Sequence, residues 1–85
     1  MNILYKPTFV RQYKKLPKAL QQEVKEKIEL FKGETSHSFL KTHKLKGPLK
    51  NCYAFSVNYE YRIIFEYETK TTAVLLTVGD HAVYK

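Results

Sequence analysis

The feature that most constrains this chain is a change of period at its middle. Up to Phe31 the apolar residues recur every three or four positions, and from Asn51 onward they alternate one by one. The first spacing places them on one stripe of a helix and the second on one face of a strand. Phe9, Tyr13 and Leu16 predict a helix over residues 8–16, with Arg11, Lys14, Lys15 and Lys18 near its wet side. Pro17 interrupts that helix and is tolerated in the first turn of another. A second helix is therefore expected over 17–32, with Leu20, Val24, Ile28 and Phe31 on one stripe and Gly33 in the capping position. Before the hairpin, residues 2–5 (NILY) form a short apolar run ended by Lys6 and Pro7 and read as an opening strand.

Three strands are expected in the second half. Tyr53, Phe55 and Val57 alternate with Cys52, Ala54 and Ser56; Tyr61, Ile63 and Phe65 alternate with Arg62, Ile64 and Glu66; TAVLLTV follows. The polar breaks at residues 57–60 and 68–71 have the length of antiparallel hairpin loops. The expected fold is α+β: an N-terminal strand, a helical hairpin, then an antiparallel meander of three to four strands, with the helices on one sheet face. If Tyr53, Phe55, Tyr61, Ile63 and Phe65 meet the helices, then Ala54, Ser56, Glu60, Arg62 and Ile64 point to an open, concave and roomy face.

Eighty-five residues without repeats or a linker-like composition shift imply one domain over 1–85. The single cysteine, Cys52, excludes an internal disulfide framework and suits a reducing cytoplasm. No apolar run approaches a membrane span or a signal segment, so no membrane partner is expected. Net charge is +7, and it is uneven: residues 1–50 carry 12 basic and 4 acidic side chains, and residues 51–85 carry 3 and 4. A patch of that sign favours a polyanionic or acidic partner.

Nucleotide-binding loops, dinucleotide fingerprints, zincin, serine-hydrolase and paired-cysteine motifs are all missing. What remains is a basic and imidazole cluster. Between His37 and Lys50 lie two histidines and four lysines, Lys41, Lys44, Lys46 and Lys50, with no acid. Such a run holds a phosphate backbone by charge and counterion release, or is simply a solvated loop. Arg62 sits in the apolar strand YRIIFEY, where a permanent cation must reach water or find an anion. The structural alternative is a salt bridge to Glu60, Glu66 or Glu68; the functional one is a two-pronged grip on a phosphate. His81 and Tyr84 close the chain in VGDHAVYK, an imidazole suited to proton transfer and an aromatic able to stack or to pin the tail. A metal site from His37, His43, Cys52 and His81 matches no standard zinc spacing, and no metal or other cofactor is expected.

Together, HKLKGPLKNCYAFSV (43–57), YRIIFEY (61–67) and VGDHAVYK (78–85), behind a basic helical hairpin, resemble the RelE/ParE superfamily of bacterial type II toxins. The resemblance implies a microbial-ribonuclease-like fold that enters the ribosomal A site and cuts messenger RNA there, silenced by a cognate acidic antitoxin. It implies that Arg62 stabilises the scissile phosphate, that His81 stands at a post-glycine position where members carry an arginine or a histidine, and that Tyr84 stacks on a nucleotide or assists proton transfer; the chemistry then assigns His81 as general acid and His43 or Glu60 as base. Lys41, Lys44, Lys46, Lys50 and Ser56 would line the RNA. His43 matches the YafQ-like branch, whereas Ala54 and Ser56 stand where other members carry lysines. That departure keeps open a ParE-like gyrase poison without nuclease activity. A non-catalytic nucleic-acid-binding module is a further alternative.

Overall fold

The computed structural model describes residues 1–33 and 42–80. Strand β1 spans Asn2–Tyr5, helix α1 Pro7–Lys15, helix α2 Lys18–Lys32, strand β2 His43–Lys44, a short 3-10 turn Gly47–Leu49, strand β3 Tyr53–Ser56, strand β4 Arg62–Thr69 and strand β5 Thr72–Gly79. The strands form one sheet in the order β1-β5-β4-β3-β2. β3, β4 and β5 are the expected antiparallel meander. Two additions make the sheet five-stranded and mixed. β1 pairs parallel with β5, Ile3 opposite Ala73, and the two-residue β2 pairs antiparallel with β3.

The prolines sit differently from expectation. Pro7 opens α1 in its first turn, and Pro17 stands outside α2 as its extended N-cap, so both helices begin at or just after a residue that cannot donate a backbone N–H. At nine residues α1 is too short to persist alone. Its C-terminal carbonyls are held from the next helix: Gln21 Nε2 donates to Tyr13 O at 3.1 Å and to Leu16 O at 3.2 Å. That arrangement satisfies acceptors a helix end leaves unpaired, and Lys14 and Lys15 lie favourably at the negative end of the helix dipole. Gly33 caps α2 through a bond from its N–H to Leu30 O in ordinary extended geometry, φ −80°, so the position does not use glycine's freedom.

The core lies between the helices and one sheet face. Phe9 of α1 and Val24, Ile28 and Phe31 of α2 pack on Phe55, Ile63, Phe65 and Leu75. Phe31 is its centre, stacked on Phe55 at 4.5 Å between ring centroids and edge-on to Phe65 at 4.7 Å. Tyr53 and Tyr61 flank the same cluster, as alternation predicted. A register shift in β5 between its pairings to Ile64 and Phe65 leaves Leu76 opposite no single residue, and Leu75 and Val78 both join the helix-side core.

Candidate functional site

The sheet face away from the helices is not wholly open. Cys52, Ala54 and Ile64 form a second small core there, covered by Leu45, Leu49 and Leu76, with Ala54 fully buried and Ile64 2% exposed. The expected roomy face is therefore corrected. Its middle is filled because Gly47, at φ +69°, turns the chain back so that Leu45 and Leu49 reach the sheet. Leu45 N–H donates to Cys52 O at 2.9 Å and Cys52 N–H to Leu49 O at 2.8 Å, pinning the segment along β3. Burial, and secondarily the Glu66 carboxylate, push the Cys52 thiol above its ordinary value of 9.0. A thiol so placed serves packing and not nucleophilic chemistry.

Beyond this plug, the register defines a smaller polar row. Ser56, Arg62 and Gly79 lie opposite one another on β3, β4 and β5. The arginine is thus flanked by a hydroxymethyl group on one side and by no side chain on the other, which leaves its guanidinium room. Arg62 is half-buried, and its Nη1 donates to Tyr59 O at 3.5 Å. It makes no ion pair with Glu60, Glu66 or Glu68; the ion pair found among the described residues is Lys32 with Glu29 at 3.3 Å. The salt-bridge alternative thus does not describe this structure.

The turn before Arg62 is built by Asn58. Its Oδ1 accepts the N–H groups of Glu60 and Tyr61, both at 2.9 Å, and its Nδ2 donates to Glu23 Oε2 of α2 at 3.0 Å. Asparagine suits the position because its side chain closes a turn on the backbone two and three residues ahead. The sequence reading passed over this residue, although an Asn in a four-residue break between apolar strands was the available signal. Glu60 and Tyr59 are exposed on the turn, Tyr59 at 94%.

His43 pairs with Ala54, which pairs with Ile64, which pairs with Thr77. Cross-strand partners share a face, so His43 lies on the same side of the sheet as Arg62, two strands and one two-residue step away. Strand spacing and rise put their backbones ~12 Å apart. The Thr77 hydroxyl in this row is buried without a hydrogen-bond partner. Lys44, Lys46 and Lys50 are exposed around a depression of about 350 Å³ that Leu45, Gly47 and Asn51 complete. The structure thus pairs Arg62 with Ser56, sets Glu60 on the turn that leads into β4, and leaves His43 two strands away on the same face, while Lys44, opposite Tyr53, falls on the helix side. Lys41, His37, His81 and Tyr84 lie outside the described residues.

A second missed residue is Gln12. Its Oε1 accepts the N–H of Val78 at 2.9 Å, tying α1 to β5 beyond the stretch that β1 pairs and next to Gly79. No helix among the described residues is long and apolar enough to cross a membrane.

This arrangement of a parallel-paired first strand, a helical hairpin and an antiparallel meander is an α+β fold with known relatives. No family model matches the sequence, and no curated protein matches it significantly. Solved structures do match in shape. YafQ from Escherichia coli superposes with a TM-score of 0.80 at 18% identity, over 98% of this chain and 96% of that one. The YoeB–YefM toxin–antitoxin complex from Staphylococcus aureus gives 0.75 at 20%, over 95% and 97%. The archaeal RelE–RelB complex from Pyrococcus horikoshii gives 0.73 at 19%, over 93% and 92%. The chain therefore has the RelE-like fold along nearly its whole length.

Proposed function

We propose that this chain is the toxin of a type II toxin–antitoxin pair and an endoribonuclease that cuts messenger RNA in the ribosomal A site. The observation that carries the reading is Arg62: a cation with no carboxylate partner among the described residues, set between Ser56 and Gly79 on the sheet face away from the helices. Its match in shape to RelE, YoeB and YafQ supports the same reading.

In the reaction the 2′-oxygen of a ribose attacks the neighbouring phosphorus, and the bond to the 5′-oxygen of the next nucleotide breaks. The products are a 2′,3′-cyclic phosphate and a 5′-hydroxyl. Arg62 holds the non-bridging oxygens and stabilises the charge that grows on them, an effect worth roughly 100- to 1,000-fold for one aimed donor. His43 or Glu60 takes the 2′-hydroxyl proton. His81, two positions beyond the register partner of Arg62, returns one to the leaving oxygen, and Tyr84 packs on a base or supports that transfer. Each proton transfer contributes about 100- to 10,000-fold. Lys44, Lys46 and Lys50 hold flanking phosphates together with Lys41 and Ser56. Alignment for in-line attack comes from the ribosome, where binding supplies geometry that so sparse a site lacks.

The partner that silences this activity is an acidic antitoxin, matched to the +7 charge and covering Arg62. The test is induction of the chain in a bacterial host. Translation arrest with breaks inside translated codons, abolished by Arg62→Ala and by His81→Ala, is the expected result. DNA damage with intact messenger would replace the reading by gyrase poisoning, and salt-sensitive binding without either would leave only a nucleic-acid-binding module.

A further inference from the structure

We infer that Tyr59 is a stacking platform for the nucleobase adjoining the phosphate held by Arg62, an inference that rests on the RNA-directed reading above. Three observations meet at this residue. Its ring is 94% exposed, against 46% for Tyr5 and 37% for Tyr67, so the packing of the fold makes almost no use of it. The backbone beneath it is nevertheless held firmly: Asn58 closes the turn on Glu60 and Tyr61 and ties it to Glu23 of α2. Lastly, the Tyr59 carbonyl accepts from Arg62 Nη1, so the guanidinium and the residue carrying the ring are in contact.

An exposed loop aromatic on a floppy turn would have to be ordered by its ligand, and that ordering would offset most of the gain. Here the turn is already ordered. Arginine has five N–H donors and spends one on Tyr59 O, leaving an edge for phosphate oxygens. A phosphate on that edge brings its own sugar and base over the 57–60 turn, where a flat apolar ring with a free face is waiting. Every base has a π-face, so the contact tolerates any sequence and identifies the ligand class as single-stranded nucleic acid rather than an acidic peptide, which offers the arginine a carboxylate but the ring nothing flat. Because Tyr59 lies outside the packed body, its removal leaves the fold and melting temperature unchanged.

The experiment is a binding titration with a short, fluorescently labelled single-stranded oligoribonucleotide, 2′-O-methylated so that it is not cleaved, at several salt concentrations. The expected result for Tyr59→Ala is affinity lower by about tenfold, within the range of one base–aromatic stack, with an unchanged salt slope. Tyr59→Phe and Tyr59→Trp stay near the parent, and an oligonucleotide lacking bases makes parent and Tyr59→Ala equal. Arg62→Ala instead lowers the salt slope by about 0.7, the share of one single-strand phosphate contact. Parent-like affinity of Tyr59→Ala beside a weakened Arg62→Ala overturns the stacking inference and leaves the phosphate clamp standing. Tyr59→Phe as weak as Tyr59→Ala also overturns it, since the hydroxyl and not the ring would then bind. Arg62→Ala with parent-like affinity and slope overturns the clamp itself, and the stacking inference with it.

Discussion

Replacing Asn58 by alanine removes two acceptor bonds and one donor bond at a stroke. The Glu60 N–H is exposed and turns to water when its partner goes, so its loss costs about 0.5 kcal/mol. The Tyr61 N–H is half-buried and its loss costs about 1 kcal/mol, and the bond to the Glu23 carboxylate, made to a charged group, adds about 1 kcal/mol more. The sum is about 2.5 kcal/mol, a large share of the roughly 4–13 kcal/mol expected for a chain of this size. In a domain of this length such a loss lowers the melting temperature by roughly 10–20 °C. Asn58→Asp keeps an acceptor for both N–H groups but loses the donor bond, about 1 kcal/mol, and sets a carboxylate against Glu23, about 0.5 kcal/mol more, so it costs about 1.5 kcal/mol. Urea unfolding followed by circular dichroism measures both. A loss under about 0.5 kcal/mol for Asn58→Ala, or equal losses for the two variants, would refute the account of the turn.

Other outcomes follow from the packing and the titrating groups. Phe31→Ala opens a void beneath two aromatic neighbours and should cost about 3–5 kcal/mol by thermal unfolding, whereas Phe31→Leu should cost about half as much. Gln12→Ala strands the N–H of the buried Val78 and should destabilise by about 1–3 kcal/mol, with Gln12→Glu recovering most of it because an acceptor remains. Cys52 and Tyr67 both have raised folded values, each mainly through burial, Cys52 with help from Glu66 and Tyr67 from Tyr53. Their protonated forms are favoured in the folded chain, so the associated stability is complete below the ordinary values of 9.0 and 10.0 and is lost as pH rises through the higher folded values. Unfolding scans should show this decline on the alkaline side, reduced in Cys52→Ala.

Much of the fold was legible because each half of the chain keeps one period. Val24, Ile28 and Phe31 fall on one helical stripe, and Phe55, Ile63 and Phe65 on one strand parity, as their burial records. Alternation says nothing about which strands are neighbours, so the parallel docking of β1 on β5, a contact 70 residues apart in sequence, had no local signature. The second core was hidden for a related reason. Leu45 and Leu49 sit among lysines in a segment without strand or helix period, and only the positive φ of Gly47 returns them to the sheet. A polar and basic reading of residues 43–50 was right for Lys44, Lys46 and Lys50 and missed the apolar side that anchors them. Arg62 stood out because a permanent charge in an apolar strand demands an explanation. Gln12 did not, since a helix glutamine acquires its role only from a partner 66 residues away, and Asn58 signalled its local turn but not its bond to Glu23, 35 residues away.

The most direct test of the central claim maps the ends of messenger RNA on purified, programmed ribosomes supplied with the protein. The account predicts cleavage within the A-site codon, leaving a 2′,3′-cyclic phosphate and a 5′-hydroxyl, lost in Arg62→Ala at unchanged melting temperature. Intact messenger with the folded parent protein, or ends that Arg62→Ala produces equally well, would contradict it.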